Sequence, residues 1–212
     1  MTTSTLRGMT VTLSGRPADA LDGDLAAKRA AIEDVLGDHS KVEILGGEII
    51  VSPMARNIHL VLVQSVLRQL LPHIPEDWAV VEKLELSVDA SNCPQPDLTV
   101  LPLSVPRSDL MATQNPSGQA LLVVEVTSPS NGNDDRKWGR KYKAYAKGLV
   151  PVYLLIDPYA ESGPTVTVFT GPNGKRYTAE SAVEFGTPLR LPEPFDAVVI
   201  DSARFPARPA ED

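Results

Sequence analysis

Residues 121–157 read LLVVEVTSPSNGNDDRKWGRKYKAYAKGLVPVYLLID. The run from Leu121 to Val126 is apolar and rich in β-branched residues, Glu125 excepted, and Ser128-Pro129 closes it; this is the pattern of a strand buried on both faces. The stretch from about Asp134 to Lys147 has helical spacing, and VPVYLLID (150–157) is a second apolar strand. Strand, helix and strand in this order predict a βαβ unit with parallel strands and a right-handed crossover. An unpaired charge inside such a strand is costly, so Glu125 requires a partner or a task.

Upstream, Asp24 caps a predicted helix reaching about Leu36, and the strands KVEIL (41–45) and EIIVS (48–52) are joined by Gly46-Gly47 as a β-hairpin. Between Asn57 and Leu71, apolar residues at 60, 63, 67, 70 and 71 describe an amphipathic helix that Pro72 ends. One strand is predicted over Ala79 to Val88, where Leu84, Leu86 and Val88 alternate with Glu85 and Ser87, and a shorter one over Asp97 to Leu101. Downstream, VTVFT (166–170) and KRYTA (175–179), linked by GPNG, form a second hairpin. The expected fold is α/β: a mixed sheet flanked by helices, with hairpins toward both ends. A single domain over 24–202 is expected, with a polar N-terminal tail (1–23) and a Pro-rich C-terminal tail (203–212).

Composition narrows the function classes. The single cysteine, Cys93, leaves no disulfide and no Cys/His cluster for structural zinc. No apolar stretch approaches the roughly 18 residues of a membrane span, and the start MTTSTLRGMT has no signal-peptide pattern, so a soluble, cytoplasmic protein is expected. The net charge of −7 argues against a surface that binds nucleic acid throughout. The basic charge is concentrated in RKWGRKYKAYAK (136–147), which holds no acidic residue, while the rest of the chain carries 14 basic against 27 acidic residues.

A second carboxylate, Asp97, follows Pro96 at the start of a strand. Two carboxylates on neighbouring strands repel in a low-dielectric site unless a proton or a cation is shared, and hard oxygen ligands suit Mg²⁺ or Mn²⁺. Equally, Asp97 can be a turn residue and Glu125 can be paired by a Lys or Arg inside the fold. On the helix after Glu125, Trp138, Tyr142, Tyr145 and Leu149 share the face expected on the sheet, with Arg136, Arg140, Lys143 and Lys147 opposite as a solvated face. Lys141 lies at the margin of the apolar stripe, about 70° from its centre, the basic residue best placed to approach Glu125. The Trp and Tyr side chains can stack on bases, although their spacing is that of a core. His59 is either a group near the metal or a structural histidine.

The segments QPDLTVLP, LLVVEVTSPSNGNDDR, KYKAYAKGLVPVYLLIDP and VEILGGEIIVSP, the last followed by His59, resemble the bacterial Uma2 family of restriction-endonuclease-like proteins in the PD-(D/E)XK nuclease superfamily, over about Lys41 to Asp157. The resemblance implies a restriction-endonuclease-like fold and a Mg²⁺-dependent endonuclease, Mn²⁺ also serving, that hydrolyses DNA. Asp97 then matches the Asp of the PD motif, Glu125 the acid of (D/E)XK and Glu43 an upstream Glu that adds to the metal site. By the same resemblance the Val126 carbonyl would be a further metal ligand. Thr127 stands where the superfamily's Lys is usual, and Lys141, matching the family's helix Lys, takes the catalytic cation's part. The rival reading is a catalytically inactive nuclease-fold module that binds nucleic acid or protein. Membrane partners are not expected, and a homodimer is left open.

Overall fold

The computed structural model describes residues 3–6, 9–12, 25–37, 40–53 and 55–206. In the segment expected as an N-terminal tail, β1 (Thr3–Leu6) and β2 (Met9–Thr12) pair antiparallel; residues 1–2, 7–8 and 13–23 of that segment, Asp24 expected as a helix cap, and 207–212 of the C-terminal segment lie outside the described residues. Helix α1 (Leu25–Leu36) leads into β3 (Ser40–Leu45) and β4 (Glu48–Pro53). Gly46 and Gly47 turn this hairpin with φ of 63° and 79°, the left-handed pair that a two-residue turn of matching twist requires.

Helix α2 (Asn57–Leu70) follows, then β5 (Trp78–Glu82) and β6 (Glu85–Ser87). The single strand expected over 79–88 is thus two, because Lys83 takes φ 53° between them. The break turns β6 out of the main sheet, where it places Leu86 in a different apolar layer. Strands β7 (Asn92–Cys93) and β8 (Leu98–Pro102), helix α3 (Ser104–Ser108) and strand β9 (Gln114–Pro116) lead to β10 (Leu122–Val126).

The helix expected from Asp134 to Lys147 is two short ones, α4 (Gly132–Asp135) and α5 (Arg140–Lys147). Between them Trp138 takes φ 70° and the Gly139 amide donates to the Arg136 carbonyl at 2.8 Å, a type II turn with a tryptophan where glycine is usual. Any side chain at Gly139 would lie 2.3 Å from the Asp134 carbonyl oxygen, so the turn closes only with glycine there. The break disperses the aromatic stripe: Tyr142 and Tyr145 are buried, whereas Trp138 and Leu149 are 51% and 54% exposed. Strands β11 (Val152–Asp157), β12 (Thr165–Pro172) and β13 (Tyr177–Glu184), then the short β14 (Leu189–Arg190) and β15 (Val199–Ile200), follow among the described residues.

The main sheet has the order β13-β12-β11-β10-β8-β5, with β10 and β11 parallel as the βαβ reading requires and every other neighbouring pair antiparallel. Its faces carry two apolar layers. On one, Leu122, Val124 and Val126 of β10 meet Leu62, Val63, Val66 and Leu70 of α2. The α2 stripe differs from the expected set: Leu60 and Leu71 are half exposed, and Leu62 and Val66 take the core positions. On the other face, Val123 packs with Tyr142, Tyr145, Tyr153 and Phe169. Alternation along β10 assigns Glu125 to this second face, beneath α5. Phe205, in the segment expected as a C-terminal tail, is buried in the first layer and meets Phe185 edge-on at 5.4 Å.

Candidate active site

The register of β8 against β10 pairs Val100 with Leu122 and Leu98 with Val124, so one step further Asp97 stands across from Glu125. Asp97 closes the strand end twice: its amide donates to the Val124 carbonyl at 3.1 Å, and its Oδ2 accepts from the Val126 amide at 2.8 Å. Glu43, buried on β3, accepts from the Gln95 amide at 2.7 Å and thereby ties the hairpin to the approach of Asp97. Three carboxylates from three strands are brought to one end of the sheet.

Lys141 enters from the first turn of α5. Its Nζ lies 2.9 Å from Glu125 Oε2, 3.4 Å from Asp135 Oδ1 and 3.5 Å from Glu43 Oε1. One helical turn on, the Tyr145 hydroxyl donates to the other oxygen of Glu125. Asp135, fully buried on α4, has neither carboxylate oxygen in a hydrogen bond; its backbone carbonyl accepts from the Tyr153 hydroxyl at 2.6 Å, which anchors α4 on the sheet. On the opposite flank, His59 Nε2 is 3.2 Å from Asp97 Oδ1, and Lys41 Nζ is 3.6 Å from Glu43 Oε1 and 4.0 Å from Asp97 Oδ1.

Each ionisation follows from burial set against neighbours. Burial pushes the pKa of Glu125 up, and Asp97 and Glu43 add to this against the attraction of Lys141 and Lys41. Asp135 is raised further by burial, with Lys141 opposing and Glu125 and Asp97 adding. Burial acts on Asp97 in the same sense, but Lys41, His59 and Lys141 outweigh it and hold this carboxyl below its usual range. Lys141 is desolvated, which favours the neutral amine, yet Glu125, Glu43, Asp135 and Asp97 hold it well above its ordinary value as an ammonium.

The donor chemistry fits a hard divalent cation. Four carboxylates face two ammonium groups, the available donors are oxygens, and Asp135 keeps two buried acceptor atoms without hydrogen bonds. Among the described residues, however, no three Asp, Glu, His or Cys side chains already converge at ligand distances. Lys141 stands in the midst of Glu43, Glu125 and Asp135.

Thr127 lies outside this cluster. Its hydroxyl donates to Asp157 Oδ1 at 2.7 Å, and Arg136 Nε donates to Asp157 Oδ2 at 2.7 Å, so the position after Val126 serves the strand ends. The basic residues expected on one outer face are likewise mostly engaged: Arg136 with Asp157, Arg140 with Asp134 and Glu48, Lys147 with Asp89, while Lys143 is exposed. Asp135 and Lys41 had no role in the sequence reading. An acid six residues before Lys141, and a lysine two before Glu43 on the same strand face, were the only signals available.

A family model described as "Putative restriction endonuclease" matches residues 30–203. The chain belongs to this family, Uma2. Among solved structures, the Uma2 chain is similar to a "putative nuclease belonging to DUF820" from Anabaena variabilis ATCC 29413, 19% identical over 77% of this chain and 88% of that one, with a TM-score of 0.58. That likeness shows a shared fold. No curated protein matches the chain. No helix among the described residues is long and apolar enough to cross a membrane.

Proposed function

We propose that this Uma2 protein is a divalent-metal-dependent endonuclease that hydrolyses DNA phosphodiester bonds at the Asp97–Glu125 end of the sheet. The observation that carries the reading is the buried contact of Lys141 Nζ with Glu125 Oε2 at 2.9 Å, which supplies from a helix the ammonium that the strand position of Thr127 lacks. Asp97, Glu125 and the Val126 carbonyl, with Glu43 beside them, would hold Mg²⁺ or Mn²⁺, which supplies Lewis-acid polarisation of the phosphate and a bound water of lowered pKa.

The chain's own residues prepare this chemistry. Lys141 and Tyr145 hold one oxygen of Glu125 each and fix its plane; the Val126 amide and His59 do the same for Asp97. Their geometry is set before substrate arrives, so little reorganisation is left for the chemical step. The Lys141 ammonium also offsets negative charge building at the site during attack on phosphorus. A lysine buried among three carboxylates is costly to desolvate, and that cost favours a site with chemistry over an inert module.

The test is single-turnover cleavage of mixed single- and double-stranded DNA in Mn²⁺. Metal-dependent cleavage is expected in the wild type and a loss of about 10²-fold or more in Lys141→Met. A folded wild type with no metal-dependent cleavage of any substrate overturns the reading in favour of the binding module.

A further inference from the structure

The groups of the site are not equally accessible. The side chains of Lys141, Glu125 and Asp135 are 1%, 1% and 0% exposed, whereas those of Lys41, His59 and Asp97 keep 21%, 15% and 12%. Whatever comes from solvent therefore meets the cluster on the side where Lys41 of β3 and His59 of α2 flank Asp97. Lys141 cannot be the first cation encountered there, because its ammonium lies behind the carboxylates.

Lys41 is also the less committed of the two lysines. Charge-assisted hydrogen bonds from an ammonium to a carboxylate run at about 2.7–2.9 Å. Lys141 reaches Glu125 at that distance, whereas Lys41 stands 3.6 Å from Glu43 and 4.0 Å from Asp97 and makes no side-chain hydrogen bond among the described residues. Its donors are free to turn outward on a flexible four-carbon stem. Beside Asp97 Oδ1, His59 stands at 3.2 Å and the Lys41 ammonium only at 4.0 Å, so its attraction to this carboxylate leaves its hydrogen-bond donors unused.

We infer that Lys41 is the phosphate-gripping residue at the mouth of the site, its ammonium contacting a non-bridging oxygen of the phosphodiester that enters beside Asp97. The inference rests on the nuclease reading and divides the work of two lysines: Lys41 meets the incoming anion, and Lys141 orders the carboxylates behind it. Because the ammonium is a point charge and not a planar fork, it recognises the phosphate without selecting a base, and sequence preference falls to other surfaces.

The experiment compares the wild type with Lys41→Gln, which removes the charge and keeps a polar side chain, with Lys41→Arg, and with Arg68→Gln, which removes an exposed cation from the far end of α2. Anisotropy of a labelled duplex is measured in Ca²⁺ over a salt series. Lys41→Gln should bind more weakly, with a log–log salt slope reduced by about one unit; Lys41→Arg should restore the slope, and Arg68→Gln should leave it unchanged. Calorimetric Ca²⁺ affinity without DNA should not fall in Lys41→Gln, since its loss removes only positive charge from the site. As a measurement independent of folding of the variants, acetic anhydride labelling of the wild type read by mass spectrometry should show Lys41 protected when duplex is bound. Wild-type slope in Lys41→Gln, or undiminished labelling of Lys41 under bound duplex, overturns the inference while the nuclease reading stands as long as the wild type cleaves DNA. A folded wild type that neither binds nor cleaves DNA overturns both.

Discussion

Lys141 Nζ and Glu125 Oε2 lie 2.9 Å apart with both side chains 1% exposed, one from the first turn of α5 and the other near the C-terminal end of β10, a strand buried throughout. Neither charge is tolerable there alone. Removing one partner of a buried ion pair typically costs about 3–5 kcal/mol, because the survivor is stranded. Lys141→Met is therefore expected to lower metal-free stability by about that amount in urea unfolding, and Glu125→Gln added to it should recover part of the loss. Additivity of the two changes within about 0.5 kcal/mol would mean that the residues do not act as a pair.

The same contact governs rescue. Thr127→Lys placed on Lys141→Met should not restore cleavage, because residue 127 turns to Asp157, and the substitution removes a hydrogen bond of 2.7 Å there. Single-turnover rates in Mn²⁺ decide it; a return to within tenfold of wild type would show that an amine from the strand reaches the site.

Metal should bind the folded state and raise the melting temperature, by about 2.7 kcal/mol of linkage at a hundredfold excess over Kd. Asp97→Ala and Glu125→Ala should each lose most of this rise and most of the heat of Mn²⁺ titration. An unchanged response in both variants would remove these residues from the metal site. Without metal, Asp97→Ala should also destabilise the fold, since the charged form of Asp97 is favoured by Lys41, His59 and Lys141 over the opposing effect of burial.

Asp157 carries a pH dependence. Burial pushes its pKa up, but Arg136, the Thr127 hydroxyl and the Tyr159 amide outweigh this and the folded-state pKa is lowered. A depressed carboxyl stabilises the fold above its unfolded pKa of about 3.9 and loses that contribution as pH falls through the folded value. Asp157→Asn should thus be less stable than wild type at pH 7, with a gap that narrows below about pH 3.9. Urea unfolding at several pH values measures it; a gap that is constant with pH would point to packing.

Trp138 occupies a left-handed position at φ 70°, which costs a residue with a Cβ about 1–2 kcal/mol. Trp138→Gly should be more stable than Trp138→Ala by about 1 kcal/mol, the reverse of the usual loop preference. Both lose the edge contact with Tyr142 at 5.5 Å, so the comparison isolates the backbone. Equal melting temperatures would show that the turn relaxes.

The cations around α5 should contribute stability more than DNA affinity. Arg136 and Arg140 are bound to Asp157, Asp134 and Glu48 at 2.6–2.7 Å. Replacing both with Gln should leave the salt slope of DNA binding within about half a unit of wild type and lower the melting temperature. A slope reduced by two units would place them on phosphates.

What the sequence by itself determined is local. The apolar run of β10 with Glu125 in it, the parallel βαβ unit, the Gly46-Gly47 hairpin and Asp97 at the start of a strand were all legible, because periodicity and turn chemistry act within a few residues. Those signals also carried the likeness to the family that matches residues 30–203. Local signals were misleading where a single backbone angle intervened: helical spacing runs through Trp138 and the expected strand through Lys83, yet both residues take positive φ and split their elements. Only the tertiary structure decided which charges meet. Glu43 and Asp135 each come within 3.5 Å of Lys141 because β3, α4 and α5 converge on one end of the sheet, and Lys41 and His59 remain at the open side because β3 and α2 flank Asp97. Coulomb interaction and burial depend on distance in space, and no spacing along the chain encodes the distance between side chains that strand order and helix crossing bring together.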